Sequence, residues 1–241
     1  MENCIFQRHE IKFMVTGEQR RRLEEAFASR MVPDPHGEST ICNVYYDTPD
    51  FRLIRTSLEK PVYKEKLRLR SYGPAAPEDM VFLELKKKYK GIVYKRRISL
   101  PCAAAENYFS GCSPLPEGGQ IGREIEYFRR FYGTLRPAVY LCYDRTAYFS
   151  RETTDLRVTF DRNIGWRQEA VRLTAPAGGA QILPRDTSLM EIKAADAIPL
   201  WLVSLLSENQ IRQTSFSKYG EAYKTILALN RRDTAGGIAY V

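Results

Sequence analysis

Lys64, Lys66, Arg68 and Arg70 recur at every second position of VYKEKLRLRSY, residues 62–72. An extended strand turns alternate side chains to opposite faces, so these four share one face and Leu67 and Leu69 take the other. VFLELKKKY (81–89) sets Glu84, Lys86 and Lys88 against Val81, Leu83 and Leu85. After Gly91, IVYKRRISL (92–100) sets Lys95 and Arg97 against Ile92, Tyr94 and Ile98. Near the start Arg8, Glu10 and Lys12 share a face, and in TSLMEIKA (187–194) Glu191 and Lys193 do. For one strand the ordinary reading is a solvated outer surface. Several such strands side by side would repel each other unless an anion or water intervened. The sharper expectation is that the rows converge on a bound polyanion, with Arg forks gripping phosphate and Lys supplying mobile point charges. Carboxylates among so many cations, at Glu10, Glu84, Glu191 and Asp161, suit a hard divalent ion that also binds phosphate oxygens. The alternative is that each pairs with a neighbouring lysine. For Glu84 both readings stand; for Glu191 the metal is the preferred one.

These faces need a sheet to hold them. Residues 4–15, 41–47, 62–72, 81–89, 92–100, 137–149, 155–162, 164–173 and 187–194 read as strands. Thr16 with Gln19 forms a capping-box signal for a helix over 17–30. Further helices are expected around 50–58, 103–110, 121–132, 198–208 and 217–230, with a loop at 176–179. No repeat or convincing linker divides residues 1–241, so a single domain is expected. If the sheet closes into a barrel, alternate residues point into its lumen and make a positive tunnel whose low-dielectric walls focus the field.

A formal net charge of +8 agrees with an anionic partner. Five widely spaced cysteines read as reduced thiols, and two histidines cannot build a multi-histidine metal site. No apolar run reaches the length of a membrane span, so a soluble, cytoplasmic protein is expected. Phosphate-binding Gly-rich motifs and a G-x-S-x-G elbow are absent from the sequence. Single-stranded nucleic acid is a poorer partner, because the Tyr and Phe residues that would stack bases fall mostly on apolar faces.

The ordered set R-H-E-I-K-F (8–13), Y-Y-D-T (45–48), L-R-L-R-S-Y-G (67–73), L-E-L-K (83–86), Y-K-R-R-I (94–98), Y-D-R-T-A-Y (143–148), L-R-V-T-F-D (156–161), M-E-I-K (190–193) and F-S-K-Y (216–219) resembles the triphosphate tunnel metalloenzymes, the CYTH-like superfamily. Within it the chain is most similar to the VTC domain, the polyphosphate polymerase domain of the vacuolar transporter chaperone complex. The resemblance implies an α+β fold: a closed, eight-stranded antiparallel barrel with flanking helices. By motif, Lys12, Arg68, Arg70, Lys86, Lys95, Arg145, Arg157 and Lys218 match the family's phosphate-gripping cations. Tyr143 and Ser217 match further phosphate contacts, and Glu191 matches the metal-binding glutamate. Arg68, Arg70, Lys86, Arg145 and Arg157 are expected to be catalytic. Lys12, Lys66, Lys95, Arg97, Tyr143, Lys193, Ser217 and Lys218 are expected to bind substrate. Glu191, Glu10 and Glu84 are expected to hold Mn²⁺ or Mg²⁺. Arg8 replaces the first acid of the E-x-E-x-K found in hydrolytic members, which favours the polymerase branch. The implied partners are ATP and inorganic polyphosphate; the rivals are a triphosphatase of the same fold and a non-catalytic polyphosphate or RNA binder.

Overall fold

The computed structural model describes residues 9–235, apart from residues 91, 117, 154 and 196 and the side chains of residues 9 and 232–235. Arg8 and Cys4 lie outside the described residues. In chain order the elements are β1 (His9–Thr16), α1 (Gly17–Phe27), β2 (Met31–Pro33), β3 (Ser39–Asp47), α2 (Arg52–Leu58), β4 (Tyr63–Tyr72), β5 (Met80–Tyr89) and β6 (Ile92–Pro101). There follow α3 (Cys102–Ser110), α4 (Gly119–Tyr132), β7 (Arg136–Ser150), β8 (Arg157–Arg167), β9 (Ala180–Gln181), β10 (Thr187–Ala194), α5 (Leu200–Glu208), β11 (Gln213–Thr214) and α6 (Lys218–Ala235). The capping box forms as the sequence implies: the Gln19 amide donates to Thr16 Oγ1 at 3.2 Å, and the Thr16 amide donates to Gln19 Oε1 at 3.0 Å. Helix α1 ends at Phe27, short of residue 30, because the chain turns there to lay Met31–Pro33 against β7.

All strands pair antiparallel in one sheet, in the order β11-β1-β10-β8-β7-β3-β4-β5-β6, with β2 also on β7 and β9 on β8. The sheet therefore has eleven strands rather than eight. Among the described residues no ladder joins β6 to β11 or β1, so hydrogen-bonded closure into a barrel is not observed. The edges explain why. β11 offers only Gln213 and Thr214, and β6 carries Lys95, Arg96 and Arg97 in succession, a charged edge that resists further pairing.

The two strands expected at 155–162 and 164–173 are one, β8, ending at Arg167. A bulge interrupts it: the register with β7 shifts between Cys142 and Asp144, and Asn163 takes a left-handed φ of 49° while its side chain donates to Asp144 at 2.8 Å. One inserted residue reverses the alternation beyond it. Asp161 faces the concave side before the bulge, and Ile164 and Trp166 do so after it. Past Arg167 the chain leaves the sheet, and the Arg167 guanidinium ties the loop down by donating to the carbonyls of Pro176 and Gly178. Gly179, with φ 144°, passes so close to Trp166 that a Cβ there would meet its carbonyl oxygen at 2.3 Å.

Three apolar clusters result. On the convex side, Leu67, Leu69, Leu83 and Leu85 pack against Tyr108 of α3 and Ile125 and Phe128 of α4. Also convex, Phe13, Val158, Phe160 and Ile192 pack on Leu23 and Phe27 of α1 and Leu202 of α5. The third lies in the concavity, where Ile54 of α2 and Tyr219, Ala222 and Ile226 of α6 meet Tyr45, Leu141, Ile164, Trp166 and Leu189. Helices α2 and α6 thus plug part of the hollow with apolar side chains, and the charged residues occupy the rest. No helix among the described residues is long and apolar enough to cross a membrane.

Candidate functional site

Cross-strand register fixes which side chains share the concave face. Tyr45 stands opposite Arg68 and Asn43 opposite Arg70; Arg68 stands opposite Glu84, and Glu84 opposite Arg97. Around Glu84, wholly buried, four cations gather. Arg68 Nε and Nη2 donate to Oε2 at 2.8 and 2.7 Å, Arg97 Nε donates to Oε1 at 2.8 Å, Lys95 Nζ lies 2.8 Å from Oε1, and Arg70 Nε 3.9 Å from Oε2. Burial alone would raise the Glu84 pKa, but Arg68, Arg70 and Lys95 hold it well below the usual carboxylate range. The arginines are further oriented by groups the sequence reading did not single out: Arg68 donates to the Tyr45 hydroxyl at 3.0 Å and Arg70 to Asn43 Oδ1 at 3.0 Å. Their signal was present in ICNVYYD, where Asn43, Tyr45 and Asp47 alternate with apolar residues.

A second cluster sits on β1, β7, β8, β10 and the start of α6. Arg145 makes a two-pronged contact with the buried Asp161, at 2.6 and 2.7 Å. Lys218 Nζ donates to Asp161 Oδ2 and lies 3.7 Å from Glu191 Oε1. Glu191 also meets Lys12 at 3.5 Å, Lys193 at 3.3 Å and Arg145 at 3.6 Å. Burial opposes ionisation of Asp161 and Glu191, yet the cations around each keep both below their ordinary pKa. The Tyr143 hydroxyl accepts from Arg70 Nη2 at 3.1 Å and so joins the two clusters. Burial would raise its pKa; Arg70, Arg145 and Lys218 together lower it.

The two wings meet across the hollow. Lys86 of β5 lies 3.5 Å from Glu10 of β1, and chiefly through that ammonium the Glu10 carboxyl is lowered to about 2. Lys66 donates to Ser217 Oγ at 3.0 Å and has no carboxylate partner among the described residues. Burial, with Lys86, Lys12, Lys64 and Arg68 around it, pushes Lys66 down to about 7. Arg157, opposite Lys193 in register, lies 3.7 Å from Asp34 and 4.8 Å from the centre of the Phe149 ring. The hydroxyl of Thr159, fully buried and opposite Glu191 in register, has no hydrogen-bond partner among the described residues.

Buried charge in such excess does not serve stability, since desolvation costs several kcal/mol per ion and is repaid only by complete pairing. One carboxylate facing four cations is incomplete pairing. Phosphate oxygens would supply the missing negative charge.

A divalent ion finds hard oxygen donors at Glu191 and Glu10, which lie near enough that Glu191 opposes ionisation of Glu10. No group of three or more His, Cys, Asp or Glu able to hold a metal occurs among the described residues. Lysines and Arg145 approach the two carboxylates at 3.3–3.7 Å, so an ion held here would share them with these cations, take one or two carboxylates and complete its shell with phosphate and water, as Mg²⁺ does. Glu84, also expected to hold a metal, has cations within 2.8 Å of both its oxygens, closer than the 3.3–3.7 Å at which cations approach Glu191.

A search among curated proteins found no match. Among solved structures, a Bacillus halodurans protein provisionally named an adenylate cyclase superposes with a TM-score of 0.58 at 15% identity, covering 89% of this chain and 95% of that one. A Hippeastrum protein, provisionally named an adenylyl cyclase and with a dominant triphosphatase activity, reaches 0.49 at 16% identity, covering 87% and 92%. The first likeness establishes a shared fold, a large antiparallel sheet with helices around it, and nothing finer. Sequence carries the family: the profile of the VTC domain matches residues 7–227, a span that includes every carboxylate and cation of the concave face, and the chain belongs to the VTC-domain family.

Proposed function

We propose that this protein is an ATP-dependent polyphosphate polymerase. The observation that carries the reading is Lys66, which has other cations around it and no carboxylate partner among the described residues, and which feels Arg68 of one cluster and Lys12 of the other, each cluster holding cations in excess. A chain of phosphates laid along the hollow answers all three shortfalls at once. The α2 and α6 plug leaves the hollow apolar on one side, which lowers the local dielectric and strengthens each contact to phosphate.

The transferred group carries its charge on non-bridging oxygens, so positioned cations do most of the work. A terminal oxygen of the growing chain attacks the γ-phosphorus of ATP in line. The bond from that phosphorus to the β,γ-bridging oxygen breaks, and ADP leaves with the electron pair. Arg68 and Arg70, held by Glu84, Tyr45 and Asn43, present donors to the non-bridging oxygens. Arg145 and Lys218, held by Asp161, do so from the opposite wing. Lys12, Lys66, Lys86, Lys95, Arg97 and Lys193 hold neighbouring phosphates, with Tyr143 and Ser217 as uncharged contacts, and Arg157 receives the chain farther along. Glu191 with Glu10 would hold a divalent ion, which would supply positive charge against the phosphate oxygens. The acceptor phosphate is already ionised, so no general base is assigned.

The test is incubation with ATP and Mn²⁺ followed by electrophoresis of the products. Long phosphate chains are expected, and Arg70→Ala and Glu191→Gln should each reduce their formation at least a hundredfold. Orthophosphate alone would instead identify a triphosphatase on the same fold, and tight retention of polyphosphate without turnover would identify a binder. Undiminished chain growth in both variants would rule the mechanism out.

A further inference from the structure

Helix α4 leaves Tyr127 and Phe131 70% and 57% exposed, their rings stacked 6.3 Å apart. Single exposed aromatics need no explanation. These two, with Tyr63 and Tyr132, wall a cavity of about 370 Å³ on the outer side of β4. Its floor is built: Glu65 accepts from the hydroxyls of both Tyr63 and Tyr132, the latter at 3.0 Å. Arg52 of α2 lies over the rings of Phe131 and Tyr132, 5.8 and 5.4 Å from their centres. Lys64 also lines the cavity, and Lys64 begins the inward row that continues through Lys66, Arg68 and Arg70. Neither Arg52 nor Lys64 has a carboxylate within ion-pair distance among the described residues; Lys64 donates only to the Ser57 carbonyl, at 3.1 Å.

We propose that this pocket takes the nucleobase of the nucleoside triphosphate, stacked on Tyr127 and Phe131, with Arg52 and Lys64 leading its phosphates onto the concave row. The polarity of the pocket selects this occupant. Flat aromatic walls suit a flat heteroaromatic ring. Glu124 also lines the cavity; Lys87 and Arg96 hold its Oε2 at 3.2 and 3.3 Å, while Oε1, met only by Gln120 at 3.4 Å, has room to accept from an exocyclic amine. Unpaired cations are supplied on the side that adjoins the phosphate row. The volume lies at the small end of ligand pockets, enough for one nucleoside and too little for a lipid chain or a folded partner. The proposal rests on the nucleoside-triphosphate reading of the concave face and adds to it a site that discriminates ATP from bare phosphate chains.

The experiment compares the full chain with the double variant Tyr127→Ala/Phe131→Ala by titration calorimetry. The ligands are a non-hydrolysable ATP analogue and inorganic tripolyphosphate. Both rings are exposed, so the variant should keep its circular dichroism spectrum and melting temperature. The expected result is a roughly tenfold to hundredfold loss of affinity for the analogue, the scale of one lost base–aromatic stack, with tripolyphosphate changed less than twofold. Unchanged affinity for the analogue, or equal weakening of both ligands, overturns the nucleobase site while leaving the phosphate row standing. If the unmodified protein binds neither ligand, the reading of the concave face fails first and the pocket with it.

Discussion

Lys66 shows how one residue can report on the charges around it. Its ammonium is pushed down to about 7 by burial and by neighbouring cations, against 10.5 for an exposed lysine. Between those values the folded protein binds fewer protons at this position than the unfolded chain does, so stability should rise with pH across that window. Below about 7 both states are protonated and the full cost of the buried charge is present. A polyanion reverses the environment and restores the ordinary basicity. Binding of tripolyphosphate at pH 8 is therefore expected to take up protons. The uptake is measured as the dependence of the calorimetric enthalpy on the ionisation enthalpy of the buffer. Lys66→Met should lose most of it, and equal uptake in both proteins would contradict the assignment. Glu84 makes the complementary point. Strand periodicity put it on the right face, but whether it meets a metal or four cations depends on where Arg97 and Lys95 of the next strand reach, which no local pattern encodes.

At the scale of elements, Asp47 does what the capping signals did not anticipate. Helix α2 begins after Phe51, which has no side-chain capping bond. The cap is remote: the Asp47 carboxylate accepts from the amides of Thr48, Leu53 and Ile54 at 2.8, 2.8 and 3.0 Å, and from the Tyr219 hydroxyl at 2.8 Å. One buried side chain thus joins the end of β3 to α2 and α6, the two helices that plug the hollow. Asp47→Ala leaves those donors without an acceptor and should cost roughly 3 kcal/mol or more, read as a lowered denaturant midpoint. A stability change below about 1 kcal/mol would show that the plug does not depend on it. The β8 bulge works at the same scale. The sequence reading saw two strands because alternation breaks near Asn163; the chain instead inserts one residue and keeps the ladder. That shift delivers Asp161 to the charged part of the hollow and Trp166 to the apolar part.

For the whole molecule, acid is the discriminating condition. Glu10 is lowered to about 2, and Asp161 and Glu191 are also held below their ordinary range. A carboxyl whose folded pKa is depressed contributes stability that is fully present above its unfolded value, near 4, and is lost as pH falls through the folded value. Melting temperature should therefore drop progressively from pH 4 toward pH 2. Tripolyphosphate should raise it at pH 7 by neutralising the surplus cations. A flat profile between pH 4 and 2 would mean that these carboxylates are not the counter-charges that hold the wings.

The sequence by itself determined the eight longer strands, β8 as far as its bulge, and their two faces, because a period of two is a local property that survives in any strand packed on one side. It also carried the basic rows, most helix positions and the family. Only the tertiary structure decided that eleven strands join with no closing ladder among the described residues, that α2 and α6 fill part of the concavity, and that Glu84 meets four cations while Lys66 has no carboxylate partner among the described residues. Those outcomes depend on edge lengths, on one bulge and on contacts between residues far apart in the chain, such as Lys66 and Ser217, 151 positions apart. Distance along the chain says nothing about which charge finds which partner; the register of neighbouring strands and the placement of the last helix do.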